Sequence, residues 1–385
     1  MTSLLVLVVL VLVSVAIWQL TKIFDLTQVG GDADNSQVAN DNDNNVNGYL
    51  MFAFLVFIYI TTIVCVVKYG HFPLMSNSAS EHGVEVDRLM WISMILIFFV
   101  QTITQALLHY FAFKYRGKKG NTALYFADNN KLEMIWSIIP AITLAGLILY
   151  GLYAWTNIMF VDEETENPMV VEIYAKQFGW EVRYAGEDNV LGKANVRYIE
   201  GINTLGVDLA DPNAQDDITA SELHLPKGVK VVFKIRSQDV LHSAYMPHFR
   251  AQMNCVPGMV TQFAFTPTIT TAEMRNSPEM IEKVATINKI RAEKSKELAA
   301  KGEAILDPYT FDYLLLCNKI CGKSHYNMQM KIVVESKEDF KKWLSEKTTL
   351  VQAIKAQEQP AEEISIEEDS TKVVVDSTLV VQVVK

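Results

Sequence analysis

Four apolar stretches, residues 1–23, 49–68, 89–113 and 134–161, occupy most of the first 161 positions of this 385-residue chain. Crossing a hydrocarbon core takes about 20 helical residues, so each stretch is long enough. Water is absent there, and a crossing segment has to satisfy its own backbone N–H and C=O groups. The four runs therefore predict four transmembrane α-helices. The first lacks the basic start and small-residue cleavage site of a signal peptide and is read as a retained anchor.

Direction follows from charge. Lys114, Arg116, Lys118, Lys119 and Lys131 crowd the short connection between the third and fourth runs. Short basic loops stay in the cytoplasm, so the fourth helix exits to the periplasmic side and carries everything after it there. Four crossings also put the N-terminus outside and the Asn/Asp-rich loop over residues 24–48 inside. A hydrophobic content of 50% agrees with a chain partly in the membrane. A net charge of −10 argues against a nucleic-acid partner and for a basic one.

From residue 168 the pattern changes to short alternating segments at 170–177, 229–235, 261–265 and 329–334, separated by turn-rich gaps. These read as strands of an all-β sandwich over residues 168–335. Two segments exceed what a sandwich needs. Residues 188–222 are acidic and bear Gly and Asn, and are expected to form surface loops. Within 277–302, Ser277 can cap a helix, Pro278 suits its first turn and Gly302 can end it. That helix is either solvated and riding on the sandwich or a docking element. Residues 336–385 turn charged and low in complexity, with Glu362, Glu363, Glu367, Glu368 and Asp369 clustered, and read as a partner-wrapping or disordered tail.

Chemistry concentrates in one short run, Cys317-Asn-Lys-Ile-Cys321-Gly-Lys-Ser-His325-Tyr-Asn-Met328, with Asp239-Val-Leu-His242-Ser far upstream. Two thiolates, two imidazoles and a thioether are a soft ligand set that favours copper. One copper needs only one of the cysteines, and two coppers bridged by both sulfurs use the pair. Zinc would leave Met328 without a role, and a Cys317–Cys321 disulfide would leave both histidines unexplained. Cys65 falls in an apolar run and reads as membrane packing, and Cys255 as buried filler. His71, His82, His109, His224 and His248 lack the spacing for a second metal site, with His248 the best spare ligand.

The spacing Cys-x3-Cys-x3-His-x2-Met, with Asp-Val-x-His-Ser upstream, resembles the CuA site of subunit II of haem-copper cytochrome c oxidases. The resemblance implies a cupredoxin-like sandwich whose dinuclear CuA centre is held by His242, Cys317, Cys321, His325, Met328 and the Lys319 backbone carbonyl. It makes residues 89–161 the membrane hairpin of a subunit II, with residues 1–23 and 49–68 as extra helices. The run Glu133-Met-Ile-Trp136-Ser-Ile-Ile-Pro140 matches the family's Glu-x-x-Trp-x-x-x-Pro, which maps Glu133 onto the mouth of a proton-uptake path. Gln177-Phe178-Gly179-Trp180 stands where the family has Gln-Trp-x-Trp, so Phe178 and Trp180, with Asp239, are the expected electron-input residues. Arg183 replaces a family acid nearby, and Lys319 replaces the glutamate that holds a magnesium at the boundary with subunit I. An ammonium cannot ligate a cation, so magnesium is expected to be absent or bound differently.

The similarity further implies single electrons arriving from a c-type cytochrome, within a supercomplex or free, and passing to haem in subunit I, where oxygen is reduced to water with proton translocation. It implies a bacterial inner membrane, contact with lipid and other oxidase subunits, and a copper domain on the periplasmic face. Nitrous oxide reductase, with a similar motif on a soluble chain, and quinol oxidase, without the cysteines, fit less well. A copper-binding assembly or storage protein is the remaining alternative.

Overall fold

A computed structural model of the chain describes residues 2–28, 41–69 and 77–358. Four long helices come first: α1 (Thr2–Gln28), α2 (Asp41–Tyr69), α3 (Glu81–Lys114) and α4 (Asn130–Met159). Among the described residues α2, α3 and α4 are long and apolar enough to cross a membrane, and α1 contributes the shorter apolar stretch Val8–Thr21.

The helices overrun the apolar runs. α2 begins at Asp41, inside the stretch expected as a polar loop. Asp41 and Asp43 in its first turn suit the positive end of the helix dipole. Arg116 Nε donates to Asn45 Oδ1 at 2.6 Å, and Lys119 N donates to Asp41 Oδ1 at 2.7 Å. This early part of α2 is thereby tied to the basic loop after α3. Residues 29–40 of the expected loop lie outside the described residues. α3 likewise starts eight residues before the apolar run, at Glu81, with the Ser80 hydroxyl accepting from Gly83 N as a cap.

A one-turn helix, α5 (Glu163–Glu166), leads from α4 into the outer domain. There come β1 (Met169–Lys176), β2 (Gly179–Tyr184), β3 (Ile218–Ala220), β4 (Leu223–Pro226) and β5 (Val231–Ser237). β6 (His242–Met246), β7 (Ala251–Cys255), β8 (Thr261–Phe265), α6 (Thr271–Arg275) and α7 (Pro278–Ala300) follow. β9 (Tyr313–Cys317), β10 (Gln329–Glu335), α8 (Lys337–Ser345) and α9 (Leu350–Glu358) complete the described chain. One sheet runs β3-β2-β1-β5-β8 and the other β4-β10-β9-β6-β7.

The expected sandwich is present, and its four expected strands appear as β1, β5, β8 and β10. Period-two alternation turns Met330, Ile332 and Val334 of β10 inward, onto a core with Val171, Ile173, Phe233, Ile235 and Leu315. The sandwich is fastened to the outer ends of the membrane helices. Ala79 N donates to the His248 carbonyl at 2.8 Å, Arg250 Nε pairs with Asp87 Oδ1 at 2.8 Å, and Ile158 and Met159 pack on the core. α7 appears where the Ser277 cap places it, with Met280 buried at its start and Asn288 donating to the Tyr309 carbonyl at 3.1 Å.

Two expectations are corrected. Residues 188–222 are not merely surface loops: β3 joins the sheet beside β2, and Leu205, Val207 and Ala214 are buried against Tyr174. The cause is Arg183, 1% exposed on β2, whose charge needs carboxylates inside the protein. It reaches Glu172 at 2.7 Å and Asp217 at 2.6 Å, while Arg236 also pairs with Glu172. Burial opposes the charge on Glu172, but Arg183 and Arg236 outweigh it and hold its carboxyl below the usual range. At Asp217 burial wins over Arg183 and pushes the carboxyl up to about 6.

The tail is the second correction, because its first part folds as α8 and α9. Trp343 of α8 stacks on the His224 ring with centroids 3.9 Å apart and planes at 9°. Leu350 and Ile354 of α9 pack near Tyr174, and Leu350 N donates to the Asp217 carbonyl at 2.8 Å. Each helix thus buries a thin apolar stripe that its charged residues conceal in the sequence. The acidic cluster at 362–369 lies outside the described residues.

Asp217 has a folded pKa above that of an unfolded Asp, so its contribution is complete below about pH 4 and is lost as pH rises through about 6. Thermal melts at stepped pH should show this loss of stability, and Asp217→Asn should flatten the profile in that window.

Candidate metal centre

β6 and β9 pair antiparallel, with Ala244 opposite Cys317 and Tyr245 opposite Leu316. This register sets His242, the first residue of β6, beside Cys317, the last of β9. The chain then loops through residues 318–328 and returns as β10, carrying Cys321, His325 and Met328 back to the same end of the sandwich.

The donor atoms converge. Cys317 Sγ is 3.8 Å from His242 Nδ1 and 3.9 Å from Cys321 Sγ. Cys321 Sγ is 3.6 Å from His325 Nδ1 and 3.7 Å from Met328 Sδ. The Lys319 carbonyl oxygen is 3.2 Å from Cys317 Sγ. Among the described residues, His242, Cys317 and Cys321 form a group whose ligand atoms all lie within 4.8 Å of one another, and His325 falls outside it. Both cysteines are free thiols, and 3.9 Å is far beyond the S–S bond of about 2.05 Å. Two sulfurs each about 2.3 Å from a shared metal sit within about 4.6 Å of each other, so this spacing fits metal ligands. The cluster can hold a metal ion.

Burial, and then a charge on Cys317, push the Cys321 thiol up to about 11, so a bound positive charge is what allows it to act as thiolate. Cys255, opposite His242 in the β6–β7 register, is fully buried, and burial raises its thiol to about 12. It remains a protonated packing residue.

Three side chains brace the donors. Asp239 Oδ1 is 2.8 Å from His242 Nε2, which turns Nδ1 toward Cys317. Burial works against the Asp239 charge, but hydrogen bonds from His242 and from the Gln177 and Val240 N–H groups outweigh it and lower its pKa. Trp180 is buried, with its ring 6.3 Å from that of His242 and its Nε1 donating to the Met328 carbonyl at 3.5 Å. Gln177 was not singled out from the sequence. Its Nε2 donates to the Cys321 carbonyl, and its backbone N donates to Asp239 Oδ2 at 2.7 Å. Its match to the first residue of the Gln-Trp-x-Trp pattern is the signal that could have found it.

Phe178 is 39% exposed and packs on the metal loop at Gly322, where an added Cβ would lie 2.8 Å from its ring. Gly322 also has φ +138°, so a side chain there would meet both backbone strain and the phenyl ring. Ile320 and Tyr326 of the same loop are each 88% exposed, and Lys319 is exposed between the cysteines. Arg183 is not at this surface but inside the ion cluster under β2.

The other singled-out residues lie elsewhere. Glu133 is in the first turn of α4, after the Asn129 cap, and exposed. His248 lies edge-on to Phe311 and Tyr313, and burial pushes its imidazole down to about 4, which makes it a neutral packing group. His71 is outside the described residues.

Comparison with known proteins gives two family matches. Residues 67–154 match cytochrome c oxidase subunit II, transmembrane domain, and residues 169–275 match its periplasmic domain. The second match ends before α7, so the cysteine loop lies beyond it. The alternative cytochrome c oxidase subunit 2 of Bradyrhizobium diazoefficiens is 33% identical over 253 residues, covering 65% of this chain and 76% of that protein. Cytochrome c oxidase subunit 2 of Thermostichus vulcanus is 23% identical over 311 residues, covering 74% of this chain and 81% of the relative. A probable cytochrome c oxidase subunit 2 of Rickettsia felis is 22% identical over 280 residues, covering 71% and 69%.

If Asp239 sets the direction of His242, Asp239→Ala should weaken metal binding by about 10–100-fold without unfolding the sandwich. Metal-competition titrations alongside circular dichroism measure both.

Proposed function

Given that the chain belongs to the cytochrome c oxidase subunit II family, we propose that its outer domain holds a dinuclear CuA centre and is the electron-input port of the enzyme. The chain serves in a respiratory terminal oxidase as a membrane subunit with a periplasmic domain. It is one subunit of a multisubunit oxidoreductase, and the oxygen chemistry is proposed to occur on another.

The observation that carries the copper reading is the length of the donor set. Ligands of one tetrahedral ion crowd within about 4 Å of one another. Here each sulfur has its own imidazole, and His325 is too far out to join the group around His242. Six soft or neutral donors spread over two sulfurs suit two ions better than one. His242, Cys317, Cys321, His325, Met328 and the Lys319 carbonyl would hold them. Bound there, the copper pair supplies one-electron chemistry with the charge shared over both metals.

The protein's own part is to hold these donors still. Asp239 and Trp180 restrain His242, and Gln177 restrains the loop at Cys321. A ligand set that cannot relax on gaining or losing an electron keeps the cost of transfer small. Phe178, part exposed and packed on Gly322 next to Cys321, is the proposed contact for a c-type cytochrome, with Trp180 and Asp239 behind it. Glu133, at the basic cytoplasmic end of α4, is the proposed mouth of a proton path into subunit I that serves proton translocation. No magnesium is ligated by the Lys319 side chain in this reading. α7, the extra membrane helices and lipid are proposed contacts within the assembled complex.

Copper analysis with electron spin resonance tests the proposal directly. Two coppers per chain sharing one unpaired electron are expected. A single copper, or zinc, would overturn it. Phe178→Ala should slow electron input from reduced cytochrome c and leave the copper content unchanged, which stopped-flow reduction of the oxidase would resolve.

A further inference from the structure

His109 is buried in the membrane part of the molecule, and nothing at the metal centre uses it. It lies on α3, 1% exposed, with the Phe54 ring of α2 at 6.3 Å. Its Nδ1 is 2.7 Å from the Gln105 carbonyl one turn back. A carbonyl only accepts, so in the neutral ring Nδ1 carries the proton and Nε2 is a bare acceptor. Nε2 is buried and has no hydrogen-bond partner among the described residues.

The Tyr59 hydroxyl on α2 is buried and unpartnered in the same way. Tyr49 against Phe113 and Phe54 against His109 set an antiparallel register between the two helices. That register carries Tyr59 about 7.5 Å beyond Phe54, alongside the turn that holds Gln105. Gln101, Gln105 and His109 recur every fourth residue, so one face of α3 is polar, and all three are at least partly buried. An ionisable side chain inside a membrane segment is rare, and such groups commonly belong to proton relays. The interface therefore holds an acceptor and, about one turn deeper, a donor in hydrocarbon, and each needs a polar partner that water can supply.

We propose that His109 is a proton-accepting site inside the membrane, its Nε2 reached by water from the cytoplasmic end of α3, with the Tyr59 hydroxyl on the deeper side of the same interface. A proton arriving from the cytoplasm binds Nε2, while Nδ1–H keeps its bond to the Gln105 carbonyl, and the ring becomes imidazolium. The route is short, since His109 lies five residues, about 7.5 Å, from Lys114 at the end of α3. On the neighbouring elements the titratable or charged groups are Tyr49, Tyr59, Asp41 and Asp43 on α2, Tyr110 and Lys114 on α3, Arg116 just after it, and Glu133 at the start of α4. The site is independent of the copper reading, which concerns the opposite side of the membrane.

The test uses the full chain in liposomes with isotope-labelled histidine, observed by solid-state nuclear magnetic resonance. His109→Gln identifies the His109 signal by its loss, and His109→Asn checks that assignment if the first variant folds poorly. The signal should move between its neutral and protonated positions as the pH is stepped. Tyr59→Phe should shift the midpoint. A signal that stays neutral throughout, or a midpoint that Tyr59→Phe leaves in place, would overturn the proposal in favour of a purely structural contact.

Discussion

The pairing of β6 with β9 is the contact on which the outer domain's site depends. Two residues on each strand, Ala244 with Cys317 and Tyr245 with Leu316, join segments about 75 positions apart in the chain. Slipping that register by one residue would turn every side chain of β9 to the opposite face. The pairing is held by what lies behind it, since Ala244, Met246 and Leu315 are all buried in the core. The metal loop can then be irregular, because its two ends are the rigid termini of β9 and β10.

Around this end the structure gathers groups from every part of the outer domain. The β1–β2 turn brings Gln177 and Phe178, and the β5–β6 turn brings Asp239. Hydrogen bonds from Gln177 link the two turns to the loop between the cysteines. On the other sheet, β3-β2-β1-β5-β8, the buried charges of Glu172, Arg183 and Arg236, with Asp217, tie the 188–222 segment and α9 to the sandwich. The membrane end follows a comparable rule, with polar groups paired at the helix ends and Asp87–Arg250 fastening helix to sandwich.

Much of the architecture was legible beforehand because it rests on periodic signals. Long uncharged runs marked the helices, alternation marked β1, β5, β8 and β10, and Ser277, Pro278 and Gly302 bounded α7. The segments that were misjudged are those whose stability comes from single distant partners. Nothing local in residues 188–222 announces that Asp217 will answer Arg183. Nothing in the charged stretch after Glu335 announces that Trp343 will stack on His224. His109 lacks ligand spacing, and its burial depends on a neighbouring helix that its own sequence context does not mention.

The sequence by itself determined the chemistry of this protein. The candidate ligand types, their short spacing after Cys317, the membrane crossings and their direction are local properties of the chain, set by hydropathy, charge and backbone needs. Only the tertiary structure decided how far apart the donors lie, that Asp239 orients His242, that Gln177 braces Cys321 and that Arg183 is a core charge. Those features are distances between residues far apart in the chain, and strand register and burial set them. A linear pattern can name such residues, but it cannot bring them together.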